Sequence, residues 1–329
     1  MLNKISNKKW DGIDVVELNL NNYKAIVIPE LGGNIIKLSY YNEDILNTPK
    51  NLEAYKNAQN NYGIPHLFPP NRIKDGKFIF NGRDHQFPIK PSGNSLHGFL
   101  HFSGWKVLEK KIEDDYISLK LSYTSEKKAD YYSYFPYEFK CTREYVLTSN
   151  GLTENYRVEN LGNKLIPLSV GNHTAFPLGR NNNTKIRVDI EKLVILNDTK
   201  IPTGEIEVLS SEERKVAKEG VDPNFKNLDH LYMAKEVKDG ECHKAIIINN
   251  HPMGDTIYEV DNKYRYWVLC NYESRGDIIC IEPQTSSIDA HNREDGNLIK
   301  LEAKKTWNTT NKLYIKTKER CNDKKLFSK

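Results

Sequence analysis

Apolar and polar residues alternate with a period of two over much of this chain. Ile117, Leu119, Leu121 and Tyr123 alternate with polar or charged neighbours, and Phe139, Cys141, Tyr145 and Leu147 largely continue the pattern. Successive side chains of a strand point to opposite faces, so this alternation predicts half-buried strands. Ser149-Asn150-Gly151 follows, and Leu152, Tyr156 and Val158 line another strand. Asn-Gly between two such runs predicts a hairpin whose turn residues both tolerate positive φ. Similar runs occupy 13–20, 24–29, 34–41, 185–190, 244–249, 256–260, 264–270, 277–282 and 298–316.

Helical signals are few. Residues 51–60 could form one short helix. Residues 210–218 could form another, with Ser210 and Glu213 spaced as a capping box. Many short strands and few helices predict an all-β chain, one large antiparallel β-sandwich over residues 1–318. The basic cluster at 316–329 reads as a solvated end, with 319–329 a tail outside the sandwich. Residues 61–104 are rich in Pro, Gly, Asn and His, and a loop that long within a compact domain is usually functional.

The 329 residues suffice for a sizeable core, and a net charge of +4 argues only weakly for nucleic acid. Five scattered cysteines without a C-x-x-C spacing suggest reduced thiols inside a cell. No N-terminal apolar stretch is long enough for a signal peptide, and no run approaches the ~18 apolar residues of a membrane span. These features predict a cytoplasmic protein without nucleic-acid or membrane partners.

The candidate chemistry centres on Glu282, which ends the apolar run Asp277-Ile278-Ile279-Cys280-Ile281 and precedes Pro283. A carboxylate there is costly unless paired or used. Pro283 is expected to stop the strand, leaving the acid at the mouth of a sheet. His97, in Leu96-His97-Gly98, and His173, in Gly171-Asn172-His173-Thr174-Ala175-Phe176, occupy similar settings. Two imidazoles and a carboxylate suffice for general acid–base chemistry near neutral pH. Taken singly, Glu282 fits a structural ion pair as well as a catalyst, and His173 fits a hydrogen-bonded core histidine. His97 and His101 are four apart, but Gly98 and the strand signals argue against a helical metal site. The aromatic run 131–139 reads as packing beneath the sheet rather than a sugar platform. Asp289 and Asn292 fit either the cleft or the loop after Glu282.

Phe68-Pro69-Pro70-Asn71-Arg72, Leu96-His97-Gly98, Gly171-Asn172-His173, Asn227-Leu228-Asp229-His230 and Glu282-Pro283-Gln284-Thr285, with Ile28-Pro29-Glu30-Leu31-Gly32-Gly33 before them, occur in an order that resembles the aldose 1-epimerase (galactose mutarotase) family. The resemblance implies a supersandwich of antiparallel strands with a sugar cleft, interconverting the α and β anomers of a free aldose without cofactor or metal. It casts Glu282 as catalytic base, His173 as catalytic acid and His97 as an assisting histidine. It casts Arg72 and Asp229 as sugar-hydroxyl binders, and Asn71 joins them as a substrate-binding candidate. The expected partner is a small sugar, and the expected assembly a monomer or homodimer. Thr174-Ala175 and Ile288 depart from the family's usual Pro-Tyr and Pro, which puts sugar preference and cleft shape in question. Competing readings are an epimerase of a phosphorylated or modified aldose, with Arg180, Lys74 or Lys77 meeting the anion, a non-catalytic sugar-binding sandwich, and glycoside cleavage by Asp229 with Glu282.

Overall fold

The computed structural model describes residues 3–178, 183–272 and 277–317. Two eight-stranded antiparallel sheets and a five-stranded one dominate it. The five-stranded sheet runs from Lys4–Trp10 to Glu43–Asp44 in sequence order. One eight-stranded sheet places Lys106–Ile112, Tyr116–Thr124, Phe139–Thr148 and Gly151–Asn160 side by side. Thr306–Thr317, Gly254–Asp261, Cys242–His251 and Lys185–Val188 complete it. The other carries the order Pro202–Val208, Ile190–Leu196, Asp229–Ala234, Tyr266–Cys270, Ile278–Gln284, Gly171–Asn172 and His66–Leu67, with Thr174–Pro177 also pairing with Ile278–Gln284.

The alternation read from the sequence becomes the inside and outside of these sheets. In Phe139–Thr148, buried and half-buried residues alternate without exception. The largest apolar cluster draws Leu18, Leu119, Phe139, Trp267, Leu269, Ile279 and Ile281 from all three large sheets. The predicted capping box is present, with Glu213 N–H donating to Ser210 Oγ and the Glu213 carboxylate accepting from Ser210 N–H. The run 51–60 divides into the helix Leu52–Asn57 and a 3-10 turn at Gln59–Asn61. The run 298–316 divides into Ile299–Leu301 and Thr306–Thr317.

Two local expectations need correction. The hairpin at 148–151 forms, but Thr148 pairs with Gly151, so Ser149 and Asn150 make the turn. Of the Asn-Gly pair, only Gly151 takes a positive φ, +115°. Its glycine is needed for a close approach instead: a Cβ there would lie 2.5 Å from Tyr314 Cβ and 2.6 Å from Leu313 O on the neighbouring strand. Nor does Pro283 stop its strand, which runs on to Gln284 with Trp267 opposite Pro283. On the other side, the ladder is broken between Thr174↔Ile281 and Gly171↔Gln284. A proline has no N–H to give, so it is tolerated at this break.

Candidate active site

That break builds the centre of the site. The pairs Gly171↔Gln284 and Thr174↔Ile281 share one register. Carried through the gap, this register sets His173 opposite Glu282 and Asn172 opposite Pro283. Opposed residues of an antiparallel pair share a face, and His173 Nε2 indeed lies 3.1 Å from Glu282 Oε1. Across the sheet the same row continues through Val268 and Leu231, and the adjacent row joins Cys280, Cys270 and Asp229. Glu282, His173, Val268, Cys270 and Asp229 line one cleft of about 730 Å³. The opposite face of these strands, with Trp267, Leu269, Ile279 and Ile281, faces the core.

The long segment 61–104 supplies the facing wall. Arg72–Ile73 and Ser95–Leu96 form a two-stranded ribbon, and Arg72, His97 and Asn71 all line the cleft. Behind it, Phe68 stacks on Phe139 and meets Phe99 and Phe135 edge to face. The aromatic run 131–139 therefore packs beneath this wall, as read from the sequence. Gly98 makes the approach possible: a Cβ there would stand 1.9 Å from the Phe68 carbonyl oxygen. Asp289 and Asn292 are not among the cleft-lining residues. The Asp289 N–H donates to the Arg72 carbonyl at 2.9 Å, and Asp289 Oδ1 accepts from Lys74 N–H at 2.9 Å and Asn292 Nδ2 at 2.7 Å. Asp289 thus braces the strand that carries Arg72.

The ring nitrogens of His97 can be assigned from the backbone. His97 N–H donates to the Asn71 carbonyl at 2.8 Å, and Asn71 N–H donates to His97 Nδ1 at 3.3 Å. An acceptor nitrogen carries no proton, so neutral His97 holds its hydrogen on Nε2. Asn71, with φ 54°, and His97, with φ 63°, both adopt the left-handed region that this clamp enforces. Burial, then the His173 and His101 rings, hold the His97 pKa well below the usual imidazole range. His97 is therefore a neutral donor. Its ring centroid lies 5.3 Å from that of His173, nearly perpendicular at 86°.

Burial also dominates the central pair. It pushes Glu282 well above the usual carboxylate range, the charge of Asp229 adds to that, and Arg72 opposes it. Burial lowers His173 to about 4. In direct contact the two titrate as one unit. Between its two titrations the unit holds a single proton, on either the carboxyl or the ring. Glu282 has few other partners: Gln284 Nε2 donates to Oε2 at a long 3.4 Å. Arg72 Nη1 donates to Asn71 Oδ1 at 3.1 Å, while Arg72 Nε is buried without a partner. Among the described residues no group of three His, Cys, Asp or Glu side chains is placed to hold a metal ion.

The six residues singled out from sequence thus line one cleft. Lys56, Phe102, Lys200 and Tyr272 line it too and were missed. None lies in an alternating run or a family motif, although Phe102 falls in the long segment 61–104 and Lys56 in the helical run 51–60. Lys74 and Lys77 are not among the cleft-lining residues. Arg180 and the tail 319–329 lie outside the described residues. The departures Thr174, Ala175 and Ile288 are all buried. Thr174 Oγ1 donates to Tyr258 OH, and Ile288 packs with Val194, Ile201 and Val268. The four cysteines within the described residues are free thiols, and no helix there is long and apolar enough to cross a membrane.

A galactose mutarotase-like protein from Clostridium acetobutylicum has a similar structure, with a TM-score of 0.90 and 31% identity over 96% of this chain and 99% of that one. A galactose 1-epimerase from Lactobacillus acidophilus shares the fold at a TM-score of 0.72 and 16% identity, over 96% and 99% of the two chains. Galactose mutarotase of Rattus norvegicus is 26% identical over 199 residues, 57% of this chain and 56% of that protein. That of Homo sapiens is 26% identical over 160 residues, 47% and 45% of the two. The matches thus span about half the length of these curated relatives. The sequence model of the family described as aldose 1-epimerase matches residues 14–314, and with the solved relative at 31% identity this shows that the chain belongs to the aldose 1-epimerase family.

Proposed function

We propose that this protein is a mutarotase, interconverting the α and β anomers of a free aldohexose by acid–base ring opening. The observation that carries the reading is a close buried pair: His173 Nε2 stands 3.1 Å from Glu282 Oε1 in a cleft that Arg72, His97 and Asp229 also line. Mutarotation requires the C1 hydroxyl to lose a proton while the ring oxygen gains one. Glu282 as carboxylate takes the first, and His173 as imidazolium gives the second. That ionised form carries the same number of protons as the neutral pair, so the site starts with the right proton inventory. The ring opens to an aldehyde, the C1–C2 bond rotates, and closure on the other face returns both protons.

His97, a neutral Nε2–H donor, is suited to an oxygen at the reacting centre. Arg72 offers a fork of donors and Asp229 an acceptor for the remaining hydroxyls. Holding the open chain in place is an orientation effect, so these binders act on turnover as well as affinity. We place the activity in the cytoplasm and expect no cofactor.

Polarimetry on freshly dissolved α-galactose and α-glucose tests the reading. Wild-type protein should speed the approach to equilibrium rotation, and Glu282→Gln or His173→Asn should slow it by about 10²–10⁴-fold. Full activity in either variant would remove that residue from its role. Turnover of phosphorylated aldoses alone would replace the free sugar as substrate.

A further inference from the structure

Lys200 is a cleft cation that the proton-transfer scheme does not use. Its Nζ lies 3.0 Å from Asp229 Oδ2 and donates to the Asp229 carbonyl at 3.4 Å. The two side chains are 37% and 41% exposed, and an ion pair so solvated contributes little to stability. Its placement is nevertheless heavily specified. Lys200 has φ 63°, a left-handed conformation that glycine or asparagine would adopt more readily. Asn197 Oδ1 accepts from Thr199 N–H at 3.0 Å, Thr199 Oγ1 at 2.9 Å and Ile201 N–H at 3.0 Å, locking the turn. Backbone bonds from Lys200 N–H to the Asn197 carbonyl and from Asn197 N–H to the Ile201 carbonyl close it, each at 2.9 Å. Asn94 Nδ2 then donates to the Thr199 carbonyl at 3.0 Å, and Asn94 Oδ1 accepts from Asp75 N–H at 3.1 Å. The turn is thereby fastened to the same segment that carries Arg72 and His97. A strained, braced turn with a lysine at its tip is a device for presenting that side chain.

The chemistry of the pair gives the reason. A sugar hydroxyl donates one hydrogen bond and accepts others. Asp229 only accepts and Lys200 only donates, and both stand on the cleft surface side by side. We infer that Lys200 is a sugar-binding residue that reads one hydroxyl jointly with Asp229: the ammonium donates to the hydroxyl oxygen while the hydroxyl donates its hydrogen bond to the carboxylate. This rests on the sugar reading of the cleft and sharpens it into a specificity determinant. A hydroxyl of inverted configuration cannot meet both groups at once.

Calorimetric titration of wild type, Lys200→Met and Lys200→Arg with galactose, glucose and the 2-, 3-, 4- and 6-deoxygalactoses tests the inference without requiring turnover. Lys200→Met should weaken binding of galactose or glucose by about tenfold or more, the scale of a hydrogen bond to a charged group. Lys200→Arg should restore most of it, and the Met penalty should vanish for a single deoxy sugar. The melting temperature should stay near that of wild type. Unchanged affinity in Lys200→Met, or an equal loss for every sugar, would overturn it. If wild type binds these sugars but does not speed mutarotation, the proposed function fails while the same affinity ratios still decide the role of Lys200. If wild type binds none of them, both fall.

Discussion

Among the described residues, two contacts between a basic and an acidic side chain are buried on both sides, Arg143–Glu154 and His173–Glu282, and they are built in opposite ways. Arg143 and Glu154, with side chains 0% and 3% exposed, meet between Nε and Oε1 at 2.9 Å and between Nη2 and Oε1 at 2.6 Å. Every remaining valence is used. Glu154 Oε2 accepts from Asn172 Nδ2 at 3.1 Å and Asn311 Nδ2 at 3.3 Å, while the Arg143 fork reaches the carbonyls of Gly32, Gly33 and Ile64. His173 and Glu282 are almost as buried and both line the cleft, but their contacts are fewer: beyond the Nε2–Oε1 contact, Glu282 Oε2 has only the long bond from Gln284, and His173 Nδ1 is buried without a partner. A saturated pair joins parts of the fold, whereas an under-satisfied one keeps capacity for a ligand. The two regions share a residue boundary. Asn172 turns its amide to Glu154 on the core face, and His173, next in the chain, turns to Glu282 on the cleft face.

The contrast is broken most sharply by matched substitutions. Glu282→Gln should cost about 10²–10⁴-fold in mutarotation rate with little change in urea midpoint. It removes a charge the fold does not want buried. Glu154→Ala should do the reverse to stability, losing about 3–5 kcal/mol by stranding Arg143, measured by urea unfolding. If Glu282→Gln unfolds the chain and Glu154→Ala does not, the assignment of structural and functional pairs is inverted.

The pH profile sharpens the same point. On the proposed mechanism, the active form of His173–Glu282 carries one proton. Acid adds a second as His173 titrates at about 4, abolishing the base. Alkali removes the proton above the raised pKa of Glu282, abolishing the acid. The rate kcat/KM should therefore be bell-shaped. Asp229→Asn removes a charge that raises Glu282, so it should shift the alkaline limb downward, besides weakening sugar binding. An unshifted limb would detach Asp229 from the pair.

Gly98→Ala gives the smallest expected effect. The added methyl cannot stand 1.9 Å from the Phe68 carbonyl, so the ribbon must move and carry His97 with it. A loss of about tenfold or more in turnover is expected, since small misplacements of a reacting group are expensive. Unchanged kinetics would mean that His97 is not held to its position by this contact.

Much of this was legible in one dimension. Alternation placed the strands it marked to within a residue or two, since side chains on a pleat must alternate between core and water, but it left Lys4–Trp10, Lys106–Ile112, Ile190–Leu196, Pro202–Val208 and Asp229–Ala234 unmarked. The position of Glu282 at the end of an apolar run, with His173 and His97 in similar settings, marked candidates that the fold brings into one cleft. The sequence also suggested Pro283 as a terminus and Asn150-Gly151 as a turn, and both were displaced by neighbours. Pro283 is tolerated because the ladder breaks opposite it, and Gly151 is required because the Thr306–Thr317 strand comes so close. Local preference cannot report what a distant strand will do.

The sequence by itself therefore determined the type of element and the residues capable of proton transfer, because both follow from side-chain chemistry and short-range periodicity. Tertiary structure alone decided which of them meet. A register shared across a two-residue gap sets His173 against Glu282. A backbone clamp from Asn71 fixes the His97 proton, and a braced turn brings Lys200 to Asp229. Each of these depends on groups far apart in sequence whose contact no local pattern encodes.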